Sequence, residues 1–260
     1  MKKKTKRIAG LALSLLLLVG IAMTGATAYD YYRAATPYPD YDIAKRHDDT
    51  LRILLIGDSW AFYHSEHPCR LSMQIERQLC RPVTISSIGF CGARSKTIYE
   101  RMFSDGEVSH KPGLLQSPDY CLVMAGVNDC YTKTGSTAYR ENMELIIKFL
   151  LGHQIRPIVF DIPDFDIYGA YRRQTFSKKC LRKLSMAVTG DCVNCIPAYR
   201  EALANLILEH QWEDSLIHIK STDWNDRPEL YKSDCLHLND TGYQVLDSCL
   251  SAIILHDLGL

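Results

Sequence analysis

The chain has 260 residues, long enough for one α/β domain with a sizeable core, and its 30 basic and 30 acidic side chains cancel. Lys2, Lys3, Lys4, Lys6 and Arg7 all precede the first apolar stretch, which leaves 25 basic against 30 acidic residues, net −5, for everything after it. A mildly acidic body has no electrostatic footprint for nucleic acid.

Ile8 to Met23 is apolar except for Ser14 and glycines, and no charged residue occurs from Ile8 to Ala28. A basic cluster followed by such a stretch is the pattern of an export signal whose basic end stays in the cytoplasm. Two readings stand. Ala26-Thr27-Ala28 resembles a small-residue cleavage site, and Ile8 to Tyr29 is also just long enough to span a bilayer as an uncleaved anchor. Either one puts the domain outside the cytoplasmic membrane, periplasmic or at the cell surface. The expected organisation is residues 1–29 as signal peptide or anchor, 30–49 as a linker stiffened by Pro37 and Pro39, and 50–260 as the functional domain.

The predicted elements then alternate. Leu51 to Ile56 is a short Ile- and Leu-rich run without polar alternation, as in a strand buried on both faces, and Gly57-Asp58-Ser59 breaks it as a turn does. His64 to Cys80 reads as a helix, Val83 to Ser87 as a second strand and Lys96 to Phe103 as a short helix. Tyr120 to Met124 is a third strand, Thr137 to His153 an amphipathic helix, and Pro157 to Asp161 a fourth strand followed by a loop to Tyr171. Arg172 to Val188 reads as a very basic helix, Ala198 to His210 as another, and Leu216 to Lys220 as a fifth strand. Thr241 to Leu255 closes the chain as a helix with Asp240 as its cap. This alternation predicts a parallel sheet with helices on both faces.

Ten cysteines in an exported chain predict some disulfides. Cys192-Val193-Asn194-Cys195 has the spacing of half a zinc site or a redox pair, but a second pair at ligand spacing is missing. A structural disulfide, for example with Cys180, is the reading adopted, and neither a metal nor a cofactor is implied.

The chemistry gathers where predicted strands end, which is where open α/β sheets bind ligands. Acyl transfer through serine needs a nucleophile, a base, a group that orients the base and donors for the oxyanion. Ser59 follows the first strand, and Gly89-Phe90-Cys91-Gly92 the second. Gly126-Val127-Asn128-Asp129 follows the third, and Asp234-Cys235-Leu236-His237 comes after the fifth. A carboxylate three residues ahead of an imidazole can bond it and fix its tautomer. Ser59 could instead be a simple helix cap and Asn128 a turn residue. Asp58 and Asp129 read as turn holders. The histidines other than His237 lack such a context and read as structural, and Cys91, Cys130 and Cys235 lie beside these blocks without the surroundings a nucleophile needs. Ser59 is not on a Gly-x-Ser-x-Gly elbow, because the final glycine is missing and too little chain precedes it.

These four stretches, in this order and spacing, resemble the four blocks of the SGNH hydrolases, the GDSL-type esterases and lipases. The resemblance runs from about Leu51 to the C-terminus, with Trp60 where leucine is common. It implies a flavodoxin-like three-layer α/β/α sandwich with a five-stranded parallel sheet. It also implies Ser59 as nucleophile, His237 as general base and acid, Asp234 as its orienter, and an oxyanion hole made by the N–H groups of Ser59 and Gly92 with the Asn128 amide. Gly92-Ala93-Arg94-Ser95 is similar to second blocks in carbohydrate acetylesterases. The expected substrate is a small-molecule or glycan ester, an O-acyl group such as acetyl on a carbohydrate, with the outward-facing address in its favour and Tyr63, Trp60 and Trp224 as candidate sugar contacts or, equally, core. A glycan O-acyltransferase with the same triad, a lipase or thioesterase, and an inactive glycan-binding module are the alternatives. The expected partners include no nucleic acid, and a membrane only through the first segment if it is uncleaved.

Overall fold

A computed structural model describes residues 2–37, 43, 48–65, 71–102, 117–220, 227–234 and 236–260. The chain divides into two units, Met1–Ala34 and Ala35–Leu260. The first is one helix, α1 (Lys2–Tyr32). Its Ser14–Tyr32 portion, 19 residues, is long and apolar enough to cross a membrane. At 1.5 Å per residue that is about 28 Å, close to the thickness of a bilayer's hydrocarbon layer.

The second unit is a doubly wound α/β fold. Its sheet contains β1 (Leu51–Gly57), β2 (Val83–Gly89), β3 (Tyr120–Met124), β4 (Arg156–Phe160) and β5 (Ile217–Ile219), in the order β2-β1-β3-β4-β5 and parallel throughout. That is the flavodoxin-like order, and its strand order reverses at β1. The helices of this unit are α2 (Ser59–His64), α3 (Leu71–Leu79), α4 (Ser95–Met102), α5 (Val127–Thr132), α6 (Ser136–Gly152), α7 (Ile167–Arg172), α8 (Phe176–Thr189), α9 (Ile196–Glu209) and α10 (Asp240–Asp257). A short 3-10 turn covers Pro228–Leu230.

The side-chain period of two along each strand produces the three layers. Leu54, Ile56, Cys121 and Val123 face one way, onto Met143, Ile146 and Leu150 of α6 and Tyr199, Leu203 and Leu206 of α9. Ile53, Leu55, Leu122 and Met124 face the other way, onto Leu71 and Ile75 of α3 and Leu246, Leu250 and Ile254 of α10. Strands buried on both faces have no polar side to show, so the uninterrupted apolar runs in the sequence are what this fold requires. Ala35 and Ile43, in the stretch read as linker, are buried in the first of these cores, and the Ala35 N–H donates to Asn142 Oδ1 at 2.8 Å.

The structure differs from the sequence expectation at four places. Residues 64–80 are not one continuous helix: α2 begins at the nucleophile turn itself and α3 is separate. The turn after β3 continues directly into α5, and the loop after β4 contains α7. The closing helix is capped by Asn239, whose Oδ1 accepts the Gly242 N–H at 3.0 Å, while Asp240 is the first helical residue. An acidic first residue suits the helix dipole, which made it look like the cap.

The cysteines also depart from expectation. Cys80, Cys121, Cys130, Cys180, Cys192 and Cys195 are free thiols, so the Cys192–Cys195 pair is bridged neither internally nor to Cys180. The two side chains point apart. Cys192 is exposed with its Sγ toward Asn194 O, whereas Cys195 is buried against Cys130 O and the Lys133 ammonium. Cys69 and Cys235 lie outside the described residues.

Candidate active site

Neighbouring strand ends build the site. Gly57 pairs with both Gly89 of β2 and Met124 of β3, so the turns after β1, β2 and β3 leave the sheet side by side. They are tied by backbone bonds, Phe90 N–H to Gly57 O (2.9 Å) and Asp58 N–H to Met124 O (3.0 Å). Asp58 caps α2 by accepting the Trp60 N–H at 3.0 Å, and Ser59 becomes the first residue of that helix. Gly89 has to be glycine, because a Cβ there would lie 1.9 Å from the backbone nitrogen of Phe62. Close passage of α2 over β2 is what aims Ser59.

The loop after the 3-10 turn brings the Asp-x-x-His block to this serine. His237 Nε2 lies 2.9 Å from Ser59 Oγ, across 178 residues of sequence, and His237 Nδ1 lies 2.6 Å from Asp234 Oδ2. With the Nδ1–H donated to Asp234, Nε2 is the acceptor for the Ser59 hydroxyl. Asp234 Oδ1 also accepts the N–H groups of Leu236 (2.9 Å) and His237 (3.0 Å), which makes the block a self-bonded turn. Partial burial would raise the Asp234 carboxyl, but the bonds from the His237 ring and these two N–H groups outweigh it and hold the group below its ordinary pKa. Asp234 therefore stays ionised opposite the imidazole.

The expected oxyanion donors sit on the two flanking turns. Gly92 closes a turn in which the Ala93 N–H bonds Phe90 O at 2.9 Å, and its φ of +74° is one that glycine adopts without strain. Asn128, in the first turn of α5, donates one amide hydrogen to Asp58 Oδ2 at 3.2 Å. That bond leaves the second amide hydrogen for another acceptor.

Asp58 and Asp129 hold turns, as expected. Both are buried. Burial pushes the Asp58 carboxyl up to about 7, against the opposing pull of the Trp60 N–H and the Asn128 amide. Asp129 accepts the N–H (2.8 Å) and hydroxyl (2.7 Å) of Ser95, joining the second block to the third, and burial raises its pKa as well. The Cys130 thiol next to it is pushed well up by burial, so it is an inert core group.

Trp60 is core, 2% exposed, with its Nε1–H donating to Leu236 O at 3.1 Å. Through that bond it supports the histidine loop. Tyr63 is half-buried with its ring edge-on to His237, the centroids 5.2 Å apart, and Lys232 Nζ lies 4.4 Å from the Tyr63 centroid. Trp224 lies outside the described residues. Sequence reasoning had no signal for Lys232, since nothing local links it to a tyrosine far earlier in the chain. Three further His–carboxylate pairs occur among the described residues, His64–Asp247 and His218–Asp161 at 2.7 Å and His210–Glu144 at 3.0 Å, and none of them is bonded to Ser59. The first ties α2 to α10.

The model of the GDSL-like lipase/acylhydrolase family matches residues 55–245, a span that includes all four blocks. The chain belongs to that family. It is a GDSL-type ester hydrolase, and the α/β architecture agrees with that of solved relatives. A lipase/acylhydrolase from Enterococcus faecalis superposes with a TM-score of 0.55 at 19% identity, covering 78% of this chain and 95% of that one. An acetyl xylan esterase gives 0.55 at 16% identity over 78% and 100%. A variant of an acetyl xylan esterase from Geobacillus stearothermophilus gives 0.52 at 13% identity over 76% and 91%. No curated protein matches the chain by sequence.

Proposed function

We propose that this GDSL hydrolase removes short O-acyl groups, acetyl foremost, from a carbohydrate outside the cytoplasmic membrane. The observation that carries the reading is the hydrogen-bonded series Ser59–His237–Asp234, at 2.9 and 2.6 Å. In this mechanism the Ser59 hydroxyl attacks the ester carbonyl while Nε2 of His237 takes its proton, and Asp234 stabilises the imidazolium. The N–H groups of Ser59 and Gly92 and the Asn128 amide receive the developing oxyanion. Collapse expels the sugar hydroxyl, which recovers the proton from His237. Water, activated by the same imidazole, then releases the acid and frees Ser59.

The carbohydrate part draws support from the acetyl xylan esterases among the structural relatives and from Tyr63 beside the histidine. Export draws support from the basic cluster and the apolar α1. Acetate release from acetylated polysaccharides, set beside hydrolysis of p-nitrophenyl esters of increasing chain length and a Ser59→Ala control, tests the proposal. Activity confined to long-chain esters, with no acetate freed from any polysaccharide, would overturn the substrate assignment.

A further inference from the structure

Helix α8 has its polarity reversed with respect to the domain. Its buried positions are Arg182 and Ser185. Arg182 anchors it, with Nη1 donating to Thr132 O at 3.1 Å and the guanidinium 5.7 Å from the Tyr131 ring centroid. The apolar residues face out: Phe176 is 83% exposed, Leu181 52%, Leu184 61% and Val188 60%. At about 100° per residue these four span an arc of about 140°, opposite the side that meets the domain. Exposed Lys183 lies next to the Phe176 edge of that arc, and exposed Lys178 lies on the other side, about 60° beyond Leu181 and past the buried Ser185. No acidic residue occurs from Ile167 to Gly190, although the body of the protein is net acidic.

We propose that α8 is an interfacial helix that docks this domain flat onto an anionic lipid bilayer. An exposed apolar arc flanked by lysines is the form of a helix that lies in the headgroup region, with its apolar side chains in the acyl boundary and its ammonium groups among anionic headgroups. Pairing with a second copy fits less well, because it would bring two lysine-rich, acid-free helices together. The geometry also has a consequence for the site. Arg173, between α7 and α8, bonds Asp234 O at 3.3 Å, so the docking helix begins where the Asp-x-x-His turn is held. A docked α8 keeps the triad next to the membrane surface, suited to esters presented there. This inference stands on α8 alone and does not depend on which ester is cleaved.

Cys180, an exposed free thiol on the same arc, is a built-in reporter, and Cys80, just before β2 at the amino end of the sheet, is the reference. The full chain is assembled in nanodiscs of phosphatidylcholine alone or with an equal part of phosphatidylglycerol. It is treated with a membrane-impermeant maleimide, and labelling is followed by peptide mass mapping. Each basic residue held near an anionic surface contributes a factor of about five to docking, so Cys180 should label about tenfold or more slowly in the anionic discs. Cys80 should be unaffected. Protection should vanish in about 1 M NaCl, where the screening length is about 3 Å. It should also vanish in Leu184→Glu and in Lys178→Glu/Lys183→Glu, whose melting temperatures confirm folding. Equal labelling of Cys180 in both disc types overturns the proposal. So does protection that persists in detergent with the protein sedimenting as a dimer, which would make a second copy the occupant.

Discussion

Replacing Asn128 by alanine separates two roles of one amide. Its Nδ2 donates to the buried Asp58 carboxyl at 3.2 Å, and the remaining amide hydrogen is the proposed third oxyanion donor. Losing one such donor costs about 10²–10³ in kcat, or about 2.7–4 kcal/mol, and KM should move little because the bond strengthens only as charge develops. The structural loss is independent of this. Removing a partner from a buried acceptor costs about 1–3 kcal/mol, which for a domain of this size is a melting-point drop of roughly 2–12 °C. The drop should be larger above pH 7 than near pH 5, because the Asp58 carboxyl, pushed up to about 7, is ionised only at the higher pH and then needs its donors most. The assay is kcat and KM on a short p-nitrophenyl ester, with melting temperatures of the same preparation near pH 5 and pH 8. A lowered melting point with unchanged kcat would make Asn128 a turn residue and remove it from the oxyanion hole. An unchanged melting point at both pH values would refute the Asp58 contact. Asn128→Asp should be at least as damaging to kcat, since its carboxylate would face both Asp58 and the oxyanion.

Four further outcomes are expected. Ser59→Ala should lose at least about 10⁴ in kcat with the fold retained, and a residual rate above roughly a thousandth of wild type would argue against an acyl-enzyme. Asp234→Asn should lower kcat by about 10⁴ through the wrong imidazole tautomer while circular dichroism stays unchanged; near-normal turnover would show that the 2.6 Å bond is not used. Because Asp58 binds its proton up to about pH 7 when folded but only to about 3.8 when unfolded, its contribution to stability is full below the lower value and declines as pH rises to the upper one. Wild type should therefore lose melting temperature across that window relative to Asp58→Asn, and parallel curves would refute the raised pKa. Gly89→Ala should destabilise by about 1–3 kcal/mol and displace α2, since its Cβ would meet the Phe62 backbone; a variant with wild-type melting temperature and kcat would show that α2 can yield there.

The order of the strands' apolar runs and the four blocks after them were legible because their signals are local. Leu51–Gly57 and Tyr120–Met124 are buried on both faces and so carry no polar alternation, which marks parallel strands from composition alone. Asp234 and His237 are close because they are only three positions apart, and that pairing could be stated before any fold was known. The short α5 and α7 were not legible, because six residues leave too little periodicity to separate a helix from a turn. The sequence does not distinguish the cap of α10 either, since Asn239 and Asp240 are both good capping types and only the bond to Gly242 separates them.

Tertiary structure alone decided the contacts that join distant segments. The 2.9 Å approach of His237 to Ser59, the bond from Asn128 to Asp58 and the Tyr63 ring against His237 each depend on where strand ends and loops come to rest. The same holds for the cysteines: Cys192 and Cys195 have the spacing of a pair, yet one faces solvent and the other the core. Helix α8 shows the limit most plainly. Its sequence determines that one face is apolar and another basic, because a helical repeat sorts side chains by angle. Which face meets the domain is not a property of that repeat. It is set by the partner surface, and here the Thr132 carbonyl and the Tyr131 ring take Arg182 inward and leave Phe176, Leu181, Leu184 and Val188 facing solvent.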